Sequence, residues 1–283
     1  MTDIQLRQGI KPPKDSRGLH ILYHTAFGRA FLKLLTARWI SKLCGAFLSS
    51  RLSKPLIGRF VKGNDIDLSQ FESDGFRCFN DCFCRKIKDG LRPIDMDDRV
   101  LIAPCDGLVS TYRIEDDTVM PIKQSAYTVR ELLGDDVLAE RYRGGVCIVF
   151  RLCVDHYHRY CYPVSGSKGA NTFLRGRLHT VRPIALETYP VFVQNCREYT
   201  VIENERFGSV LQMEVGAMLV GRIQNHHGER EVLRGEEKGM FLYGGSTVIL
   251  MLEHDRVTLP DAFFENTENG LETPVRMGER IGK

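Results

Sequence analysis

The sequence predicts an α+β fold: a predominantly antiparallel β core with N-terminal amphipathic helices. Two observations predict it. Between residues 22 and 60, aromatic and aliphatic side chains are interleaved with basic ones at the spacings of a helix with one apolar face. Beyond the Gly90-Leu91-Arg92-Pro93 turn signal the pattern changes to short β-like runs, punctuated by Gly and Pro at intervals of roughly 10 to 25 residues. Helical and strand patterns are therefore segregated along the chain, which favours antiparallel pairing over alternating βαβ units.

At 283 residues and 43% hydrophobic content, the chain is long enough for one large domain plus an appendage, and its composition is not that of a disordered chain. The expected division is a basic amphipathic segment over residues 1–70 and a body over residues 71–283. The net charge of +3 hides an asymmetry. No acidic residue occurs from residue 16 to residue 64, where Arg17, Arg29, Lys33, Arg38, Lys42, Arg51, Lys54, Arg59 and Lys62 are all positive. The remainder of the chain is accordingly acidic, and the segment suits an anionic surface. Nucleic acid is the poorer fit, because aromatic and apolar residues are too frequent here for a plain phosphate-binding arm.

Within that segment, Phe27, Phe31 and Leu34 share one helical face opposite Arg29 and Lys33, whereas Arg38 and Lys42 fall on the apolar side and break the stripe. The pattern predicts more than one short helix, with a stop near Gly45 and another before Pro55. No charge-free run reaches the roughly 18 to 20 residues of a spanning helix, so the segment is expected to lie on a membrane or to cap the core, not to cross. The nine cysteines are odd in number, scattered, and preceded by no signal-peptide pattern, as expected of free thiols in a reducing, cytoplasmic compartment.

In the body, residues 100–103, 145–153, 199–203, 210–223 and 246–252 read as strands. Val146, Ile148, Phe150 and Leu152 alternate with Cys147, Val149 and Arg151. There is no internal repeat and no low-complexity tract.

Three places carry chemistry. Gly244-Gly245-Ser246-Thr247 reads as a tight turn, but a serine after a glycine can also attack the preceding carbonyl if the turn is strained. Such an attack needs a base and a group to orient it. Asp106, in "IAPCDGLVS", is one candidate, where a strand is expected to end at Pro104 and a turn to begin at Gly107. His156 and His158, in "VFRLCVDHYHRYCYPVSG", are the others; they share a face if the segment is extended. A zinc site from Cys78, Cys82 and Cys84 with His156, His158 and Cys161 is a rival reading, but Cys-x3-Cys-x-Cys is not a usual zinc spacing and no metal is expected. Arg85, Arg92 and Lys86 are candidates for contact with a lipid phosphate, with surface solubility as the plainer explanation.

Taken in order, "FNDCFCRKIKDGLRPID", "APCDG", "IKQSAYTVRELLG", "RLCVDHYHRY", "NERFGSVLQMEVGAMLVGRI" and "RGEEKGMFLYGGSTVIL" resemble the successive blocks of the phosphatidylserine decarboxylase family, over about residues 76–252. The resemblance implies a proenzyme that cuts itself between Gly245 and Ser246, leaving a β chain of residues 1–245 and an α chain of residues 246–283. It implies Asp106, His158 and Ser246 as the self-cleavage triad. Ser246 would form an ester, β-elimination would give dehydroalanine, and hydrolysis would leave a pyruvoyl cofactor with loss of ammonia. That group would form a Schiff base with the amine of phosphatidylserine, and loss of CO2 would give phosphatidylethanolamine.

The implied partners are phosphatidylserine, an anionic membrane surface at the cytoplasmic face, and the chain's own two pieces; a homodimer is open. A pyruvoyl decarboxylase of another serine-headgroup lipid or amino acid would use the same chemistry. Two positions depart from the family pattern. Cys161 stands where many relatives have a second histidine, so that either His158 serves both cleavage and decarboxylation or His156 takes a share. Gly244 stands where many have Leu, while the glycine before the serine is retained.

Overall fold

The computed structural model describes residues 7–12, 17–35, 38–72, 75–115, 120–122, 125–176, 179, 191–216, 223–242 and 246–283. Four helices come first: α1 (Arg17–His24), α2 (Ala26–Leu35), α3 (Arg38–Leu48) and α4 (Leu56–Gly63). Short segments follow within the body: α5 (Phe79–Phe83), α6 (Val129–Leu133), α7 (Asp136–Glu140), α8 (Val191–Gln194) and α9 (Asp261–Glu268).

The several short helices expected from the broken stripe are present, but the stop near Gly45 is not: α3 runs through it to Leu48. A single glycine costs a helix only about 1 kcal/mol, which neighbouring turns absorb. The chain instead breaks around Ser50, and Pro55 stands immediately before α4, where its missing N–H is no loss.

The strands are β1 (Leu101–Ile102), β2 (Gly107–Arg113), β3 (Met120–Ile122), β4 (Ser125–Tyr127), β5 (Val146–Leu152), β6 (Arg159–Cys161), β7 (Gly166–Lys168) and β8 (Thr172–Leu174). They continue with β9 (Arg197–Asn204), β10 (Gly208–Val215), β11 (Ile223–Asn225), β12 (Arg230–Val232), β13 (Glu237–Phe241), β14 (Ser246–Leu252), β15 (Thr273–Val275) and β16 (Arg280–Gly282). A nine-stranded sheet runs β12-β7-β9-β10-β14-β5-β2-β15, with β8 also on β9, and a three-stranded sheet runs β11-β13-β6. Every pairing is antiparallel.

The large sheet is covered on both faces. One face carries Cys147, Val149, Leu211, Met213, Ile249 and Met251, packed under Tyr23 of α1, Leu32 of α2 and the helices α6 and α8. The other carries Ile148, Phe150, Leu152, Val210, Val248 and Leu250, packed against Tyr160 and Phe241 of the small sheet and Phe263 of α9. A strand buried on both sides is under no pressure to alternate apolar with polar, and β14 accordingly reads as an unbroken apolar run after Thr247. Between the sheets lies one fully buried ion pair, Lys238 to Glu214 at 2.5 Å. Asn225 bridges it, receiving from Lys238 at 3.2 Å and donating to Glu214 at 3.1 Å, with a second bond from the same amide to Glu198 at 2.8 Å.

The N-terminal helices dispose of their apolar residues differently. Tyr23 and Leu32 are buried, whereas Phe27 is 83% exposed and Phe31 of the same expected face is also exposed. At the end of α3, Leu48 joins Phe79 and Phe83 of α5 in a small cluster with Phe60 of α4. Among the described residues no helix is long and apolar enough to cross a membrane. All nine cysteines are free thiols.

Candidate active site

The strands β14, β5 and β2 are neighbours, and one end of this trio gathers the residues singled out in the sequence. Ser246 opens β14 opposite Leu152, the last residue of β5, and is 1% exposed. Leu108 of β2 lies opposite Arg151, so Asp106, just before β2, stands at the same end. The chain leaving β5 turns at once, with His156 N–H donating to the Cys153 carbonyl, and arrives at His158. The His158 carbonyl then accepts from Phe241 N–H at 3.0 Å, which fixes this histidine beside the strand that leads toward Ser246.

The expected strand end at Pro104 with a turn at Gly107 is corrected. Gly107 is the first residue of β2, because Leu108, Val109 and Thr111 pair with β5 and bury into the sheet. Residues 243–245, which hold the glycines of the expected turn before Ser246, lie outside the described residues.

His158 is wholly buried against Phe83, with ring centroids 4.0 Å apart. Its Nδ1–H donates to the His156 carbonyl at 2.9 Å, since a carbonyl can only accept. That bond fixes the tautomer and leaves Nε2 as the basic nitrogen, which meets no hydrogen-bond partner among the described residues. Burial pushes the imidazole pKa down to about 3, with His156 and Arg85 adding to the effect, so the ring is neutral at physiological pH.

Asp106 is held elsewhere. Its two oxygens accept from Arg92 Nε at 2.8 Å and Nη2 at 2.6 Å, and one also accepts from Met277 N–H at 2.9 Å. Among the described residues it makes no hydrogen bond to either histidine, so the structure brings the three triad candidates to one sheet end without joining carboxylate to imidazole. His156 turns its Nδ1 to the Cys153 N–H at 3.2 Å, and burial lowers its pKa despite Asp155 and Asp106. Cys161 lies in β6 among Val100 and Ile102, its thiol pushed up to about 12 by burial.

Of the proposed zinc ligands, only His156 belongs to a group of three potential ligands among the described residues, and its companions there are Cys153 and Asp155. Cys84 is instead packed with Phe79 and Phe83, its thiol donating to the Phe241 carbonyl at 3.2 Å.

Sequence reasoning missed the supports of this site. Arg85 is buried and donates to the carbonyls of Asp155 at 2.7 Å and His156 at 3.3 Å, pinning the turn that carries both histidines. Phe83 supplies the wall that keeps water from His158. The signal was the block "FCRKIK" itself, but nothing local says that its partners lie some seventy residues away.

A family model described as phosphatidylserine decarboxylase matches residues 79–283. The chain is 42% identical over 266 residues to phosphatidylserine decarboxylase proenzyme 2 of Clostridium acetobutylicum, covering 94% of this chain and 91% of that one. It is 40% identical over 266 residues to the phosphatidylserine decarboxylase proenzyme of Clostridium perfringens strain SM101, and 39% over the same length to that of Clostridium botulinum strain Alaska E43, covering 92% of this chain and 90% of the relative in both cases. With the match running through every element that builds this sheet end, the chain belongs to the phosphatidylserine decarboxylase family.

Proposed function

We propose that this chain decarboxylates phosphatidylserine to phosphatidylethanolamine after cutting itself between Gly245 and Ser246. The observation that carries the reading is His158: a buried, neutral imidazole with its tautomer set by the His156 carbonyl and its Nε2 without a hydrogen-bond partner among the described residues, at the sheet end where Ser246 begins β14.

In cleavage, Ser246 Oγ attacks the Gly245 carbonyl and His158 takes the hydroxyl proton, the role of a general base toward an alcohol nucleophile. The His156 carbonyl supplies the orienting bond that a carboxylate supplies in other triads. Asp106 is the carboxylate of the proposed triad. Paired with Arg92, it acts as a fixed charge at the sheet end, and its negative field favours protonation of His156. The Gly245–Ser246 carbon–nitrogen bond breaks as the ester forms, and the freed amine takes the proton. Loss of the Cα proton of residue 246 with breakage of its Cβ–Oγ bond then frees the carboxyl end of residue 245, and water adds to the resulting dehydroalanine to release ammonia and leave the pyruvoyl end.

The residues around position 246 fit a pyruvoyl group: the site is buried, and a basic nitrogen with no hydrogen-bond partner among the described residues stands at the same sheet end. Such a group supplies an electrophilic carbonyl for the substrate amine and a sink for the electrons left by CO2. His158, neutral at rest, then relays the proton taken up by the α-carbon, its Nε2 carrying it only in passing, in a pocket whose Phe83 wall excludes water.

The membrane contact belongs to the N-terminal helices, residues 1–70, with residues 71–283 as the catalytic domain. Phe27, Phe31, Leu43, Phe47 and Leu52 expose their side chains in a segment free of acidic residues, as a peripheral contact with the anionic cytoplasmic face requires.

The test is the intact mass of the protein beside a Ser246→Ala control, with release of CO2 from phosphatidylserine as the second readout. The expected result is two fragments in the wild type, the smaller spanning residues 246–283 with a pyruvoyl end, and one full-length species in the control. A single full-length mass in both samples, with or without vesicles, would overturn the cleavage reading.

A further inference from the structure

A cavity of about 610 Å³ opens between the N-terminal helical segment and α5, with Met240 and Leu242 in its wall. Arg51, Arg77, Arg85, Lys86 and Arg159 line it, against the carboxylates Glu72 and Asp81. Most of these cations are already satisfied: Lys86 pairs with Glu72 at 3.0 Å, Arg77 with Asp81 at 2.9 Å and Arg159 with Glu237 at 2.8 Å. Arg92, the other basic candidate of the same sequence block, is taken by Asp106.

Arg85 is different. It is 2% exposed, yet among the described residues its guanidinium meets no carboxylate; its hydrogen bonds go to three backbone carbonyls and its Nε has no partner. Its Cζ also lies over the Phe71 ring, 4.3 Å from the centroid. A buried cation without a counter-charge is costly, and an entering anion removes the cost. Arg51, on the rim, likewise forms no ion pair among the described residues.

The rim also has an apolar side. Ser49 and Arg51 line the cavity, and flanking them in sequence Phe47 and Leu52 are 45% and 78% exposed. A cationic chamber bordered by an exposed apolar edge fits an amphiphile with an anionic head.

We propose that this cavity receives the phosphodiester of the lipid headgroup, with Arg85 as the buried cation, Arg51 as the rim cation, and the acyl chains left on the Phe47 and Leu52 edge. The proposal rests on the decarboxylase reading and extends it to recognition. Arg85 also donates to the His156 carbonyl that orients His158, so the headgroup and the base share one guanidinium.

The test is calorimetric titration of glycerophosphoserine, a soluble headgroup with a phosphodiester, into full-length protein carrying Ser246→Ala. Arg51→Ala and Arg85→Lys are compared on that background, with free serine as the ligand that lacks the phosphodiester. Binding of glycerophosphoserine but not serine, weakened about ten-fold by each substitution, is expected. A folded Arg51→Ala protein with unchanged affinity, or equal binding of serine, would overturn the proposal. In the mature enzyme, Arg51→Ala should raise KM for monomeric short-chain phosphatidylserine about ten-fold with kcat nearly unchanged. A loss confined to vesicles would mean that Arg51 attracts a membrane surface and not the substrate's own phosphate, and that too overturns it. Absence of turnover in the wild type would sink the decarboxylase reading alone, because the titration does not depend on it.

Discussion

The helices over residues 17–63 and the strand β14 are both rich in apolar side chains and use them in opposite ways. β14 is buried along its whole length, flanked by β10 and β5 and covered on both faces. The helices bury Tyr23, Leu32 and Leu48 but turn Phe27, Leu43 and Phe47 outward. Apolar content alone therefore does not mark the core. What separates the two regions is whether basic residues are interleaved with the apolar ones: β14 carries none, and where its neighbours carry a buried charge, Glu214 in β10 and Arg151 in β5, each is held in an ion pair.

Four changes would break or sharpen that contrast. The largest effect belongs to the chemistry hung on the end of β14. His158→Gln should slow self-cleavage by about 10²–10⁴-fold, read as the fraction of full-length chain by mass, while an intact near-ultraviolet spectrum shows that the fold survives. Next, Lys238→Met strands Glu214 in the layer behind β14 and should cost about 3–5 kcal/mol in urea unfolding. The double change with Glu214→Gln should recover much of it.

The third concerns acid. His158 has its pKa depressed from 6.5 to about 3, so between those values the unfolded chain binds a proton that the folded chain refuses. Its contribution to stability is complete above pH 6.5 and is lost as pH falls toward 3, by up to about 1.4 kcal/mol per pH unit. His158→Gln should flatten the fall of the urea midpoint over that window; an unchanged slope would place the acid sensitivity elsewhere.

The smallest effect on folding belongs to the N-terminal helical segment. Phe27→Ser and Leu52→Ser should change stability by no more than about 0.5 kcal/mol, because both side chains are already in water. Both should nonetheless weaken sedimentation with anionic vesicles. Severe destabilisation by either would mean that the exposed face is a core face after all.

The strands were legible where one face or both are uniformly buried: residues 145–153 and 246–252 were read almost to their ends, as β5 and β14. The helix stop at Gly45 was misread because propensity is a weak prior against the cluster around Leu48 and Phe60. The Asp106-Gly107 turn was misread for a related reason: a dipeptide that favours a turn was overridden by pairing of Leu108 and Val109 with β5.

In the candidate site, residue types were legible and bonds were not. Nothing in the sequence says that Arg92 holds Asp106 or that a backbone carbonyl orients His158, because both depend on contacts made only once β2, β5 and the turn after β5 are assembled. The role of Arg85 was equally hidden, since an unpaired arginine is visible only against the partners its neighbours have found.

The position of Ser246 has a further consequence. Residues 246–283 contribute β14 to the centre of the large sheet, β15 to β2, β16 to β1, and α9 over the apolar face. The proposed cut before Ser246 would thus sever the backbone without freeing either piece, and would leave a heterodimer folded from one precursor. The uncut chain can refold alone at any dilution. Once cut, the two pieces must find each other again, so renaturation should become second order and fail in dilute solution.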